Sequence, residues 1–341
     1  MKNNHLLGEK GRFYIATENG VQCGICPHRC TLGEGQYGIC KNRVNRNGAI
    51  YSEVYGRLCA LNLDPIEKKP LFHFLPGSGC LSLASTGCNL SCKNCQNYNI
   101  SQAKSEVEGT TKVLPDELIA YCKKIGCDTL AYTYTEPLTY YEYTYDCAKL
   151  AHENGIRNLL VSAGYINQEP LSLLAPYIDA ANIDLKAFDD NFYRKINHAT
   201  LEPVLNTLKI LKEMGVWVEV TNLLIPTLND SDIVLTKMCN WLVANGFEDN
   251  PLHFSRYFPM YKMNDIPPTP LDSLIKAHNI AERAGMKYVY IGNVGEVDGE
   301  NTYCPSCKRL LIKRHGFKVL ENHLKDGACP YCGESISGVW E

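Results

Sequence analysis

Three cysteines in the first third of the chain have a spacing that suits iron–sulfur chemistry. Cys88, Cys92 and Cys95 form a C-x3-C-x2-C pattern. Three thiolates can hold three corners of a cubane [4Fe–4S] cluster, which four cysteines would saturate. The fourth iron then keeps an open position, and an open metal position is where chemistry occurs. The alternative is a structural cluster or a zinc site with a fourth ligand from elsewhere, for which Cys80 is a candidate.

The residues before this triplet predict how it is positioned. Residues 79–86 have the pattern of a short buried strand, and the cysteine loop begins where that strand ends. From about residue 80 to 293 strands alternate with helices, which favours a parallel α/β architecture. About seven strand–helix units can be counted, fewer than a closed eight-fold barrel requires. We therefore predict a partial (βα) barrel with an open side, with ligands at the carboxyl ends of its strands.

The pattern also predicts element and domain boundaries. The later strands are predicted at Leu130–Tyr134, Asn158–Ser162, Asn182–Lys186, Val216–Ile225, His253–Tyr257 and Tyr288–Ile291. The helices are predicted at Leu138–Asn154, Glu202–Met214, Ser231–Asn245 and Leu271–Ala284. Ser231 is available as an N-cap and Gly155 as a C-cap. The flanks lack this alternation, so we divide the chain into an N-terminal cysteine-rich module with an irregular connector (1–79), the barrel (80–295) and a C-terminal module (296–341).

Two further groups of four cysteines flank the predicted barrel. The C-terminal group forms two C-x2-C knuckles, which predicts a structural zinc ribbon, with an auxiliary [4Fe–4S] cluster as the alternative. His315 and His323 lie between the knuckles and could replace one ligand. The N-terminal group is too tightly spaced for two knuckles and predicts a metal site, with zinc and a second iron–sulfur cluster both open. The C-terminal ligands are Cys304, Cys307, Cys329 and Cys332, and the N-terminal ligands are Cys23, Cys26, Cys30 and Cys40.

The bulk properties narrow the class of protein. The chain of 341 residues has a net charge of −3 and dispersed basic residues, which argues against binding to nucleic acid. It contains no apolar run of membrane-spanning length, and residues 1–5 lack a signal-peptide core, so we predict a cytoplasmic protein without membrane contact. In a reducing compartment, grouping among its seventeen cysteines indicates metal or redox sites rather than disulfides.

The C-x3-C-x2-C motif after a first strand resembles that of the radical S-adenosylmethionine (SAM) superfamily. The resemblance implies that the three cysteines bind a [4Fe–4S] cluster whose unique iron is chelated by the amino and carboxylate groups of SAM. Reductive cleavage of SAM would then yield a 5′-deoxyadenosyl radical that abstracts hydrogen from a substrate, with electrons from a donor of the flavodoxin or ferredoxin type. The family usually has an aromatic residue before the third cysteine. Asn94 occupies that position here, and Tyr98 is the candidate substitute for contact with adenine.

Other strand ends carry further family-like motifs. Thr133-Tyr134-Thr135-Glu136-Pro137 resembles a Gly-Gly-Glu-Pro segment, which implies that Glu136 meets the amino group of SAM; a helix N-terminal carboxylate is the alternative. Ser162 and Gly164 lie in a segment similar to the family's Thr-Asn-Gly-Tyr turn, and the resemblance implies that they line the carboxylate and ribose of SAM. Asp184-Leu185-Lys186 resembles the Asp-Leu-Lys of glycyl-radical-enzyme activases, and the resemblance implies contact of Asp184 and Lys186 with SAM. An internal ion pair would explain the last motif equally well.

Together these features resemble one branch of the superfamily, the AmmeMemoRadiSam-system radical enzymes, which are related to pyruvate formate-lyase activating enzymes. The segments concerned are 23–30, Asp64–Lys69, Tyr134–Pro137 and Asn293–Gly295. The resemblance implies Memo-like and AMMECR-like companion proteins. We therefore predict an oxidoreductase-type radical SAM enzyme with an unidentified substrate. The alternatives are a glycyl-radical-enzyme activase specifically, a non-catalytic multi-cluster electron-transfer protein, or a zinc-ribbon module that binds nucleic acid, which the charge balance disfavours.

Overall fold

The computed structural model describes residues 8–104, 109–295 and 298–341. Its N-terminal part consists of short antiparallel strands. Strands β1, β6 and β5 form one three-stranded sheet, and β2, β3 and β4 form another. Their bounds are β1 Glu9–Lys10, β2 Tyr14–Thr17, β3 Gly20–Cys23, β4 Thr31–Leu32, β5 Arg43–Arg46, β6 Ala49–Ser52 and β7 Arg57–Leu58. The sequence segment 1–5, in which we found no signal-peptide core, lies outside the described residues.

An eight-stranded sheet forms the centre of the molecule. Its order is β8-β9-β11-β12-β13-β14-β15-β16; β8 pairs antiparallel with β9, and all other neighbours are parallel. The strands are β8 Ala60–Pro65, β9 Gly79–Ala84, β11 Thr129–Tyr132, β12 Arg157–Ser162, β13 Ala180–Asp184, β14 Trp217–Leu224, β15 Leu252–Arg256 and β16 Val289–Gly292; the short β10 Thr111–Lys112 pairs with β7. The seven parallel strands and the two free sheet edges confirm the predicted partial barrel among the described residues.

Helices connect the parallel strands. They are α1 Tyr98–Ser101, α2 Pro115–Lys124, α3 Tyr141–Glu153, α4 Gln168–Leu174, α5 Asp190–Phe192, α6 Glu202–Glu213, α7 Asp232–Ala244 and α8 Leu271–Ala284. The Ser231 hydroxyl accepts a hydrogen bond from Val234 N at the start of α7, as predicted for an N-cap. The predicted helix at 138–154 is in fact a 3-10 turn at Pro137–Tyr140 followed by α3, because Glu136 and Pro137 fix the first turn. No helix in the described part of the chain combines the length and apolarity needed to cross a bilayer.

The segment predicted as an irregular connector is more ordered than expected. β8 lies within it and extends the central sheet, and a 3-10 turn follows at Ile66–Lys68. Ile66, Leu71 and Phe74 are buried against one residue from each of four strands: Cys80 of β9, Ala131 of β11, Leu159 of β12 and Ala180 of β13. The polar sequence of 62–69 hides this strand because it is an edge strand, and only some of its side chains are buried.

The C-terminal module is a small antiparallel sheet of β17 (Thr302–Tyr303), β18 (Leu310–His315) and β19 (Lys318–Asn322). Its buried residues pack on Phe72 of the connector and on Tyr288 and Tyr290 of the barrel. Residues 73–75 also exchange backbone hydrogen bonds with Val339. The amino ends of the barrel strands are therefore covered by the connector and by this module.

Candidate functional site

The C-x3-C-x2-C triplet lies in the loop that leaves β9 at the carboxyl edge of the sheet. Each of its thiols has a hydrogen-bonding neighbour. Leu90 N donates to Cys88 Sγ over 3.3 Å, Asn197 Nδ2 donates to Cys92 Sγ over 3.1 Å, and the Ser101 hydroxyl lies 3.2 Å from Cys95 Sγ. Donors of this kind stabilise thiolates and tune the potential of an iron–sulfur cluster that they hold.

A glycine makes the start of this loop sterically feasible. Gly87 has φ of +91°, a conformation that glycine adopts without penalty. A Cβ on Gly87 would also collide with the Asn42 side chain and the Cys40 carbonyl of the N-terminal module. The loop therefore runs directly against that module immediately before Cys88.

Cys80 is excluded as a fourth ligand by its position. It is the second residue of β9, is fully buried, and its thiol contacts the Asp64 carbonyl and the Ser82 hydroxyl. Ala84, the last residue of β9, lies four residue steps further along the strand, which corresponds to about 13 Å. The candidate ligand from elsewhere that we considered in the sequence thus lies at the opposite end of the strand.

Glu136 is a buried carboxylate at the carboxyl end of β11. It accepts hydrogen bonds from Ser162 Oγ at 2.7 Å, Ala163 N at 2.9 Å and Leu138 N at 3.2 Å. Burial raises the pKa of Glu136 to about 6, although these donors oppose the shift. The bond to Leu138 N fulfils the helix-capping alternative, yet a carboxylate has about four acceptor positions, so one remains for a further donor.

The Asp184–Lys186 pair lies at the end of β13. The strand ends at Asp184, two residues earlier than predicted, and Lys186 lies in the following turn. Their side chains form an ion pair of 2.8 Å. Burial lowers the pKa of Lys186, but attraction to Asp184 and to Cys92 outweighs burial, so the net pKa is raised. The ion-pair alternative is thus realised, and the ammonium group also faces the cysteine loop.

The two remaining candidates for contact with SAM have different surroundings. Gly164 has φ of +66°, donates its N–H to Ser162 Oγ at 2.9 Å, and so supports the turn that holds Glu136. Tyr98 begins α1 and is 41% exposed. Its ring stacks on Tyr261 with centroids 4.5 Å apart, so it is oriented by a residue that the sequence did not single out.

The four C-terminal cysteines form a compact sulfur set. Cys304 Sγ lies 3.6 Å from Cys332 Sγ, and Cys307 Sγ lies 3.7 Å from Cys329 Sγ. All four atoms are within 4.8 Å of one another. Ligands about 2.3 Å from one tetrahedral ion lie about 3.8 Å apart, so this geometry fits a single metal ion. His323 pairs with Glu321 instead and is outside the set.

The four N-terminal cysteines surround a different kind of space. They line one cavity together with Arg43 and Asn89, the residue that follows Cys88. No three of their sulfur atoms come within 4.8 Å of one another in the described residues. The ligand atoms therefore lie further apart than in the C-terminal module.

Two asparagines near the cysteine triplet were missed by the sequence interpretation. Asn197 contacts Cys92 from a helical turn more than one hundred residues later in the chain. Asn89 donates its side-chain amide to the Tyr165 carbonyl at 2.8 Å and so anchors the loop beside Cys88. Only the position of Asn89 within the motif could have suggested a role, because the contact of Asn197 depends on the packing of the barrel.

Comparison with known proteins agrees with this arrangement. A profile of the radical SAM superfamily matches residues 83–237. An uncharacterized protein of Methanocaldococcus jannaschii is 47% identical over 94% of this chain and 96% of its own length. The pyruvate formate-lyase-activating enzyme of Clostridium pasteurianum is 28% identical over 45% of this chain and 65% of its own.

Solved structures show the same fold at low identity. Streptococcus suis SuiB, in the structure with its precursor peptide SuiA, superposes with a TM-score of 0.51 and 14% identity, over 67% of this chain and 51% of that chain. SuiB bound to S-adenosylmethionine gives a TM-score of 0.50 over 67% of this chain and 53% of that chain. The cysteine triplet after the first parallel strand, the parallel sheet and these similarities lead to one conclusion. The chain belongs to the radical SAM superfamily.

Proposed function

We propose that this protein is an oxidoreductase-type enzyme that cleaves SAM reductively and abstracts hydrogen from a substrate. Cys88, Cys92 and Cys95 would hold the [4Fe–4S] cluster. The observation that carries this proposal is a set of three thiols on one loop, each beside a hydrogen-bonding group, at the carboxyl edge of the sheet. Cys80, the nearest further cysteine in sequence, is turned away at the other end of β9. When bound, such a cluster supplies the electron that breaks the sulfonium C–S bond.

The side chains at the neighbouring strand ends are suited to the polar groups of SAM. Glu136 has one free acceptor position and a pKa near 6, so an ammonium group beside it would favour its ionised form. Lys186, paired with Asp184, could in turn attract a carboxylate. Ser162 and Gly164 would hold the Glu136 turn in place, and Tyr98 would offer a ring for adenine. These contacts extend the proposal to the whole cofactor.

Activation of a glycyl-radical protein is a second candidate. It is favoured by the similarity to the pyruvate formate-lyase-activating enzyme and to a putative glycyl-radical enzyme activating enzyme of Methanocaldococcus jannaschii, which is 25% identical over 63% of this chain. In this case the hydrogen would come from a backbone glycine of a partner protein. Transfer of label from that glycine into 5′-deoxyadenosine would support an activase, whereas turnover of a small molecule without such transfer would exclude it.

We also propose that the C-terminal module binds structural zinc. Its sulfur–sulfur distances of 3.6 and 3.7 Å suit tetrahedral coordination by four thiolates. A bound ion would cross-link the two knuckles of a module whose own core is small. One zinc per chain, lost together with the module's protease resistance on chelation, would support this assignment.

The decisive experiment compares two cysteine variants after anaerobic reconstitution. Wild-type protein with SAM and a strong reductant should form 5′-deoxyadenosine. Cys92→Ala should reduce its formation by about a thousandfold or more, to background, because the cluster loses one of three ligands. Cys80→Ala is the matched control and should retain activity. Loss of activity in Cys80→Ala but not in Cys92→Ala would contradict the proposal. Redox-active protein that never cleaves SAM would also contradict it and would favour the electron-transfer alternative.

A further inference from the structure

The cavity of the N-terminal module is lined by four thiols and a buried cation. We call it the N-terminal site; its cysteines are Cys23, Cys26, Cys30 and Cys40. Arg43 also lines it and is only 1% exposed. One guanidinium nitrogen pairs with Glu142 at 2.6 Å, whereas the buried Nε has no hydrogen-bond partner among the described residues. An unpartnered buried donor beside four thiols indicates that an acceptor belongs in this space.

The spacing of the sulfur atoms distinguishes the N-terminal site from the C-terminal one. The C-terminal sulfurs lie mutually within 4.8 Å, as one tetrahedral ion requires, and no three N-terminal sulfurs do so among the described residues. In a cubane cluster each thiolate binds a different iron atom. The four ligand sulfur atoms therefore lie further apart than they do around a single ion. The N-terminal site has this wider arrangement around one cavity.

The N-terminal site is in direct contact with the loop that carries the cysteine triplet of the barrel. The His28 ring nitrogen Nε2 lies 2.8 Å from the Asn89 carbonyl oxygen. The Asn89 side chain lies beside the Cys26 thiol. On the other flank of Cys88, Gly87 packs on the Cys40 carbonyl. Both residues adjoining one ligand of the triplet thus touch ligands of the N-terminal site, which makes the path between the two groups short.

We propose that the N-terminal site binds a second [4Fe–4S] cluster that passes electrons to the cluster held by Cys88, Cys92 and Cys95. The relay role rests on the proposed function, whereas the cluster itself does not. In each transfer the reduced N-terminal cluster loses one electron and the oxidised cluster of the barrel gains it, with no proton or bond change. A low-potential one-electron donor of the flavodoxin or ferredoxin class then restores the electron to the N-terminal cluster. The thiol cavity thus becomes the entry point for electrons.

The first experiment counts metals. Anaerobically reconstituted wild-type protein should contain about eight iron and eight sulfide ions per chain, from two [4Fe–4S] clusters. The double variant Cys26→Ala/Cys30→Ala should lose about four of each, with its zinc content unchanged. Cys239→Ala, which removes a buried thiol of α7, is the matched control and should lose none. About four iron ions and two zinc ions in the wild type would overturn the proposal.

The second experiment tests the relay with two reductants. Dithionite is small enough to reduce the barrel cluster directly, so the dithionite-dependent rate of 5′-deoxyadenosine formation serves as the internal reference for each protein. The ratio of the flavodoxin-dependent rate to the dithionite-dependent rate should be lower in the double variant than in the wild type by about tenfold or more. Magnetic coupling between two reduced clusters should be visible by electron paramagnetic resonance in the wild type and absent from the variant. Equal flavodoxin-dependent rates in both proteins would overturn the relay.

The two readouts separate failure of this proposal from failure of the proposed function. Wild-type protein with eight iron ions and coupled spectra but no cleavage of SAM would refute the radical SAM activity and leave the second cluster supported. Active protein with four iron ions would refute the second cluster alone. Because the wild-type iron count and spectra need no variant, the proposal stays testable even where the double variant does not fold.

Discussion

The two ends of the barrel bury charged groups for different purposes. At the carboxyl ends of the strands, Glu136 keeps an unused acceptor position, and the ammonium group of Lys186 faces the cysteine loop. At the amino ends, Glu219 accepts four hydrogen bonds, from Phe72 N, His73 N, Trp217 Nε1 and His253 Nε2. The first set remains able to bind something more, whereas the carboxylate of the second is surrounded by donors from the protein itself.

This difference shows how one sheet can carry a candidate binding site at one end and a fully hydrogen-bonded carboxylate at the other. Glu219 is fully buried, which would raise its pKa, yet the hydrogen bond and attraction of His253 and the N–H of Phe72 oppose burial and the net pKa is lowered. Glu136 is nearly as buried, but burial prevails and its pKa is raised. In α/β barrels the carboxyl face carries activity and the amino face carries stability. Substitutions at the two ends should therefore change different measured quantities.

The largest effect is expected at the amino end. Glu219→Gln would place an amide N–H₂ among four donors and leave His253 without its carboxylate. Removing one member of such a buried pair should lower the free energy of unfolding by about 4 kcal/mol. Chemical denaturation would measure this loss, with Glu213→Gln, an exposed carboxylate of α6, as the control. SAM cleavage per folded molecule should stay unchanged, and an activity loss without a stability loss would refute the comparison.

A second prediction concerns acid stability at the same end. Neutral His73 bonds the Ser337 carbonyl and the Tyr290 hydroxyl, and burial lowers the pKa of His73 to about 4. The unfolded chain takes up this proton near pH 6.5 and the native state does not. Stability should thus fall by about 3 kcal/mol as pH decreases from 6.5 to 4. Melting temperatures across this range would measure the fall, and His73→Gln should show a shallower dependence.

The third prediction concerns the carboxyl end. Glu136→Gln removes the negative charge that would meet the ammonium group of SAM but keeps the shape of the side chain. The dissociation constant of SAM should rise by about tenfold, measured by anaerobic calorimetry on reconstituted protein. The melting temperature should change little, because the raised pKa shows that the buried charge is itself unfavourable. Unchanged affinity, with Glu153→Gln on α3 as the reference, would remove Glu136 from the proposed site.

The smallest effect is expected at Asn197. Asn197→Ala removes the donor to Cys92 Sγ and should make the reduction potential of the cluster more negative, because the reduced cluster carries more negative charge for the donor to stabilise. The rate of SAM cleavage should fall by less than about tenfold. Asn191→Ala is the control: it changes an exposed residue of α5 and should leave the reduction potential unchanged. A shift to more positive potential would contradict this role.

Much of the architecture could be predicted from local patterns. The seven parallel strands were found because buried strands are read from continuous apolar runs. Their ends were placed less well: Asp184 ends β13, where the prediction continued to Lys186. Strand β8 was missed because an edge strand need not be apolar along its length. The contact of Asn197 with Cys92 was missed because nothing in the local sequence encodes a contact across one hundred residues.

By itself, the sequence determined the superfamily, because a thiolate triplet at close spacing limits what one loop can bind. It also determined that two other cysteine groups exist. Only the tertiary structure decided what distinguishes them: one brings its sulfur atoms within 4.8 Å, and the other spreads them around a cavity that touches Asn89. Ligand spacing depends on how strands and loops pack in three dimensions, and residue order along the chain does not specify that distance.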